Sequence, residues 1–141
     1  MTATDTFSLE GHVGFLLRKA HQRHVAIFVE ATAETGLTPT QFAALQKLDE
    51  VGTATQNLLG RLVAMDPATI QGVVRRLTER GLIARTTDPM DRRTAVLTPT
   101  DAGRSLVLTT VACARRAHEA ALSPLTPDER SLLLSLLRKM G

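Results

Sequence analysis

"TTDPMDRRTAVL", residues 86–97, decides how this chain is read. Before it, apolar residues recur at three- and four-residue steps; around it the pattern shortens. Two brief β-prone runs, "LIAR" (82–85) and "RTAVLT" (93–98), flank the turn-forming "DPMD". A two-stranded hairpin is the economical reading, with a loop longer than the two-residue ideal. Its tip carries Arg92 and Arg93, which a solvated turn does not need, and Asp91 stands beside them where it can pair with a guanidinium and aim it.

Upstream, "DPATIQGVVRRLTERG" (66–81) predicts a helix with Asp66 as N-cap, Pro67 in the first turn and Gly81 at the stop. Ile70, Val73, Val74 and Leu77 face inward. "TATQNLLGRLVAM" (53–65) predicts a short helix before it, and "LTPTQFAALQKLDEVG" (37–52) another, capped by Thr38 with Phe42, Leu45 and Leu48 buried. A long N-terminal helix over 9–34 follows from Val13, Leu16, Leu17, Ala20, Ile27, Phe28 and Ala31 on one face, with Gly36 as its stop. Downstream, a helix runs from Thr100 or Asp101 to about Leu122. The last one starts at "TPDE", where Thr126 and Glu129 make a capping box ahead of Leu132, Leu133, Leu136 and Leu137.

The fold class is therefore mainly α with a small two-stranded β wing: a single domain over 1–141, with a winged helix-turn-helix at 38–98. The helices at 9–34 and 100–141 expose more apolar face than so small a module can cover, so they are expected to pack against a second copy.

With 141 residues and a hydrophobic fraction of 43%, wholesale disorder is excluded. Aromatics make up only 3%, with no Trp or Tyr, so the core must be aliphatic. The net charge of +3 is mild, and where the charge sits matters more than its sum. The single cysteine, Cys113, rules out an intrachain disulfide framework and fits a reducing compartment. No run approaches the ~18–20 apolar residues of a membrane span. The start, "MTATDTFSLEG", lacks the basic and apolar blocks of a signal peptide, so a cytoplasmic location is expected. No nucleophile elbow, phosphate loop, H-E-x-x-H or acid pair stands out, so neither an enzyme nor a cofactor is expected.

In a helix-turn-helix the second helix enters the major groove. Here its outer face offers Thr69, Gln71, Gly72, Arg75, Arg76 and Arg80. Gln can bond adenine bidentately, Arg can bond guanine or phosphate, and Gly72 lets the backbone come close. Arginine at a wing tip has a partner in a narrow A·T minor groove.

"GLIARTTDPMDRRTAVLTPTDAGRSL" (81–106) resembles the wing signature of the MarR family of transcriptional regulators, D-x-x-D-x-R running into a strand and then T-x-x-G. "GLTPTQFAALQKL" (36–48) and "MDPATIQGVVRRLTERGLI" (65–83) are similar to that family in order and spacing, and the resemblance spans about 9–140. It implies a homodimer joined through the first, fifth and sixth helices, with two lobes on one palindromic operator of double-stranded DNA. It implies DNA contacts at Thr69, Gln71, Gly72, Arg75 and Arg76, minor-groove insertion of Arg92 or Arg93, and backbone contacts near Thr53 and Thr55. Gln71-Gly72 stands where the family often has Ser/Thr followed by Arg, and Arg75 where it has an acidic residue, so the groove-reading set departs from the usual pattern.

The resemblance further implies a repressor released by a small anionic aromatic or phenolic ligand bound between the dimer helices and the DNA lobe. Arg18, His21 and His24 on the first helix, with His118 on the fifth, are the candidate ligand residues, since a carboxylate or phenolate suits arginine beside histidine. Three other readings stay open. A metal-responsive regulator of the same fold would use His21, His24, His118 and Glu119. A redox-responsive one would use Cys113, which otherwise packs with Leu106 and Ala117. A helical dimer acting only through protein partners would use neither.

Overall fold

The computed structural model describes residues 7–141. The first six residues of the "MTATDTFSLEG" segment, on which the signal-peptide reading partly rests, lie outside the described residues. After a 3-10 turn at Leu9–Gly11 come α1 (Val13–Ala31), α2 (Pro39–Val51), α3 (Gln56–Leu62), α4 (Pro67–Glu79), β1 (Ile83–Thr87), β2 (Ala95–Pro99), α5 (Asp101–Leu122) and α6 (Pro127–Met140). β1 and β2 pair antiparallel, with Ile83 opposite Pro99, Arg85 opposite Leu97 and Thr87 opposite Ala95.

The helix starts are chemically local. The Thr38 hydroxyl accepts from the Gln41 N–H while Gln41 reaches back to the Thr38 N–H; Thr126 and Glu129 repeat this box, and Asp66 accepts from the Thr69 N–H. The N-terminal helix is shorter than its apolar pattern predicts. It begins after the 3-10 turn and ends at Ala31. There the buried Thr32 hydroxyl donates to the Phe28 carbonyl (2.7 Å) and the Thr35 hydroxyl to that of Thr32 (2.8 Å). These side chains satisfy the backbone of a descending loop, and Gly36, at φ 65°, turns the chain into α2.

A single aliphatic cluster centres on Leu45 and Leu48 of α2, with Leu59, Ile70, Val74, Leu77, Leu97 and Val107 around them. Phe28 brings α1 into the same core, its ring tilted 39° to that of Phe42 with centroids 5.6 Å apart. The α3–α4 turn is tight. Ala64 adopts φ 57°, and a Cβ on Gly60 would lie 3.1 Å from Ile70 Cγ2. The hairpin gains a bridge to a third segment that periodicity does not foretell: Ala54, between α2 and α3, exchanges backbone hydrogen bonds with Leu97 (2.8 and 3.2 Å).

The wing and the last two helices meet at one knot. The Thr100 N–H donates to the Leu82 carbonyl (3.0 Å), and its hydroxyl donates to Gly81 (2.7 Å) while accepting from the Gly103 N–H (3.1 Å). Gly103 packs so closely on the Leu82 carbonyl that a Cβ there would overlap the oxygen. The glycine of T-x-x-G is thus a contact requirement between α5 and the end of the winged lobe. Replacing Gly103 with Ala forces these elements apart, and overpacking of this kind costs about 1–3 kcal/mol or more. Urea unfolding should show a clear fall in midpoint for Gly103→Ala, whereas Ala102→Ser, at an exposed neighbouring position, should leave it unchanged.

Candidate nucleic-acid interface and the cleft behind it

α4 presents one face to solvent. Gln71, Gly72 and Arg75 line an open groove of about 610 Å³, closed on its far side by Gln56 and Arg85. Nothing stands within 4 Å of a Cβ placed on Gly72, so the groove floor is open there. Thr69 is at the helix start, where its hydroxyl donates to the capping Asp66 carboxylate (3.0 Å). Arg76 is exposed outside the groove lining. Arg80, read from the sequence as part of the same outer face, is committed elsewhere. Its guanidinium donates to the carbonyls of Thr35 (2.8 Å) and Gly36 (3.2 Å), tying the end of α4 to the loop after α1.

The wing is built by its two aspartates. Asp88 accepts from the Met90 N–H (2.9 Å). Asp91 accepts from the Arg93 N–H (3.0 Å) and the Thr94 hydroxyl (3.1 Å). These bonds, the Arg93 N–H first, hold the Asp91 carboxyl below its ordinary range. Its ion pair with Arg93 is longer, 3.5 Å, and the Arg93 side chain is 94% exposed, so Asp91 acts chiefly on the turn and only lightly on the guanidinium. Arg93 and Arg85 flank a second groove, about 370 Å³, with Thr55 and Asn57 opposite. Thr55 caps α3, and Thr53 lies exposed just before it. α4, the start of α3 and the wing arginine therefore open on adjoining grooves.

Behind this face, α2 and α5 enclose a cleft of about 440 Å³ lined by Phe42, Gln46, Val111, Arg115, His118 and Glu119. His24 of α1 is half-buried, its ring centroid 6.2 Å from that of Phe28 and 6.4 Å from that of His21. Burial first, then the charges of His21 and His118, hold His24 below its ordinary 6.5. Three of the four sequence-selected ligand residues, His21, His24 and His118, are thus neighbours, but only His118 lines the cleft, and Arg18 is exposed on α1. Among the described residues no three His, Cys, Asp or Glu side chains group as a metal site. Glu119 pairs with Arg130 at 2.9 Å. Cys113 is buried, with the Arg116 guanidinium 3.4 Å from its Sγ. No described helix is long and apolar enough to cross a membrane.

The profile of the MarR family matches residues 37–95. The HTH-type transcriptional repressor NicR of Pseudomonas putida is 40% identical over 134 residues, which cover 95% of this chain and 85% of NicR. The chain belongs to the MarR family. A probable transcriptional regulator from Pseudomonas aeruginosa superposes with a TM-score of 0.91 at 46% identity, covering 95% of this chain and all of that one. BpsR of Bordetella bronchiseptica, a protein whose DNA binding is regulated by 6-hydroxynicotinic acid, superposes with a TM-score of 0.90 at 40% identity, over 95% and 96% of the two chains. As a MarR-family member this protein is a transcriptional regulator with a winged helix fold.

Sequence reasoning missed Gln56 and Arg85 on the exposed face and Arg115, Gln46 and Phe42 in the cleft. Arg85 had a usable signal: period two in β1 puts it on the Ile83 side, toward α3 and α4. Arg115 had none, because only packing shows which side of α5 meets α2.

His24 supplies a test by pH. Below the ordinary histidine value the unfolded chain binds a proton that the native His24 resists. Its contribution to stability is therefore full above about pH 6.5 and is lost as pH falls through the lowered native value. NMR titration should place the His24 midpoint under 6.5, and His24→Gln should flatten the fall in stability on acidification. A midpoint at or above that value would contradict the burial.

Proposed function

We propose that this protein is a homodimeric repressor that holds a palindromic operator until a small hydroxylated aromatic carboxylate binds. The observation that carries this reading is the α2–α5 cleft. One wall belongs to the DNA lobe (Phe42, Gln46) and the other to the long helix behind it (Arg115, His118). A ligand there spans the joint between reader and scaffold. Arg115 suits a carboxylate, Phe42 the ring, and Gln46 and His118 a hydroxyl or ring nitrogen. The class matches 6-hydroxynicotinic acid, the regulator of BpsR's DNA binding. Arg18, His21 and His24 remain candidates for the same site, reached from α1. The ligand need only bind better to a lobe spacing that mismatches the operator.

Dimerisation is supported by apolar residues that nothing within the described chain covers. Val13, Leu16 and Leu17 of α1 and Leu132, Leu136 and Met140 of α6 are all exposed. Pairing through these ends presents two α4 helices and two wings. On DNA, Thr69, Gln71, Gly72, Arg75 and Arg76 would face the major groove, Arg92 or Arg93 the minor groove, and Thr53 and Thr55 the backbone. The readings based on a metal, on Cys113 or on a protein partner alone gain no comparable support.

Fluorescence anisotropy with the duplex upstream of its own gene tests the DNA half. Arg92→Ala with Arg93→Ala should weaken binding roughly 10-fold or more, and rising salt should weaken the parent steeply. Undiminished binding by the double variant removes the wing from the interface. For the effector half, 6-hydroxynicotinic acid should release the parent from DNA, and Arg115→Ala should need roughly 10-fold more of it or more, as befits loss of a charge-assisted contact. If Arg115→Ala responds like the parent, the ligand does not use this cleft.

A further inference from the structure

We infer that Arg85 and Gln56 form the seat for the DNA phosphate that separates the major groove from the minor groove. The inference rests on the DNA-binding reading proposed above and assigns a binding role to two residues outside the recognition helix and the wing tip. Arg85 Nη2 donates to Gln56 Oε1 at 3.1 Å, and among the described residues this pair alone lines both surface grooves. On one side lie Gln71, Gly72 and Arg75 of α4; on the other lies Arg93 of the wing.

In B-DNA a single sugar–phosphate strand walls off each major groove from its adjoining minor groove. If α4 enters the ~12 Å major groove and the wing the ~6 Å minor groove, that strand must cross what lies between them. What lies between them is the Arg85–Gln56 ridge.

The chemistry of the ridge fits a phosphate better than a base edge. The Gln56 carbonyl oxygen accepts from Arg85, which leaves the amide N–H₂, a donor, as the end still to be matched. Arg85 has further N–H donors and no acceptor. The exposed pair therefore offers donors and positive charge, which suits the acceptor-only oxygens of a phosphodiester. A base edge in the major groove mixes donors and acceptors, and a glutamine free to use both of its ends would be the better reader. Gln56 is here the positioning residue: it holds a guanidinium that stands exposed at the mid-point of a strand.

The test measures binding of the parent, Arg85→Met and Gln56→Leu to two duplexes over a series of salt concentrations. One duplex is the region upstream of the gene, the other an unrelated sequence. Thermal midpoints are taken alongside, and Met and Leu keep the side-chain volume. Arg85→Met should lose roughly 10- to 100-fold on both duplexes alike, with the log–log salt slope shallower by about one. Gln56→Leu should lose less and keep most of the slope, since the charge remains. A neutral methylphosphonate at the strand between the two grooves should weaken the parent and leave Arg85→Met unaffected. Loss confined to the upstream duplex, with unrelated DNA bound as before, would make Arg85 a base reader and overturn the inference. Parent-like binding by Arg85→Met would make the pair a staple between β1 and α3, with the same result. If the parent itself binds neither duplex, the functional reading falls and this inference with it.

Discussion

The close approach of Gly103 to the Leu82 carbonyl is the contact on which the rest of this structure depends. It joins α5 to the last turn of the DNA lobe with no side chain between them, and Thr100 locks the join by bonding Gly81, Leu82 and Gly103 at once. Arg80 grips the same turn from the opposite side, through the carbonyls that follow α1. The short connection between recognition helix and wing is therefore held by the loop after the first long helix and by the start of the fifth. A displacement of α5 cannot be absorbed by a soft linker, because there is none. It must move β1 and the end of α4 with it. The ligand proposed for the α2–α5 cleft would act on DNA affinity through that rigid join.

The arginines show how one residue type serves different ends. Arg23 donates to the carbonyls of Ala120 and Ala121 and so closes the C-terminus of α5 against α1. Arg80 is a strut, and Arg130 braces Glu119. Arg75, Arg85 and Arg93 keep exposed heads around the two surface grooves. Which guanidinium heads face the grooves is thus set by which carbonyls the fold offers the others, and not by the small net charge.

Most of the element pattern was legible in advance for a local reason. The caps of α2, α3, α4, α5 and α6 each join a side chain to the N–H three residues on, so the information sits within one turn of chain. The wing turn is equally local: both aspartates bond within three residues of themselves. The misreadings were longer-range. The apolar pattern runs past the end of α1 because the Thr32–Leu37 bond and the descent into α2 leave no mark on it. The Ala54 rung was invisible because a single bridge has no period.

The sequence by itself determined the order and type of the elements, the wing, the exposed α4 face and the resemblance to the MarR family, since all of these are written in residues one to four apart. Only the tertiary structure decided which polar side chains are free. Arg80 finds its carbonyls 44 and 45 residues away, Arg85 its glutamine 29 away, and Arg23 its helix end 97 and 98 away. A guanidinium's partner is chosen by whichever carbonyl or amide the folded chain brings within reach, and no local pattern encodes that choice. For the same reason the cleft residues Arg115 and Gln46 emerged only when α2 and α5 were seen side by side.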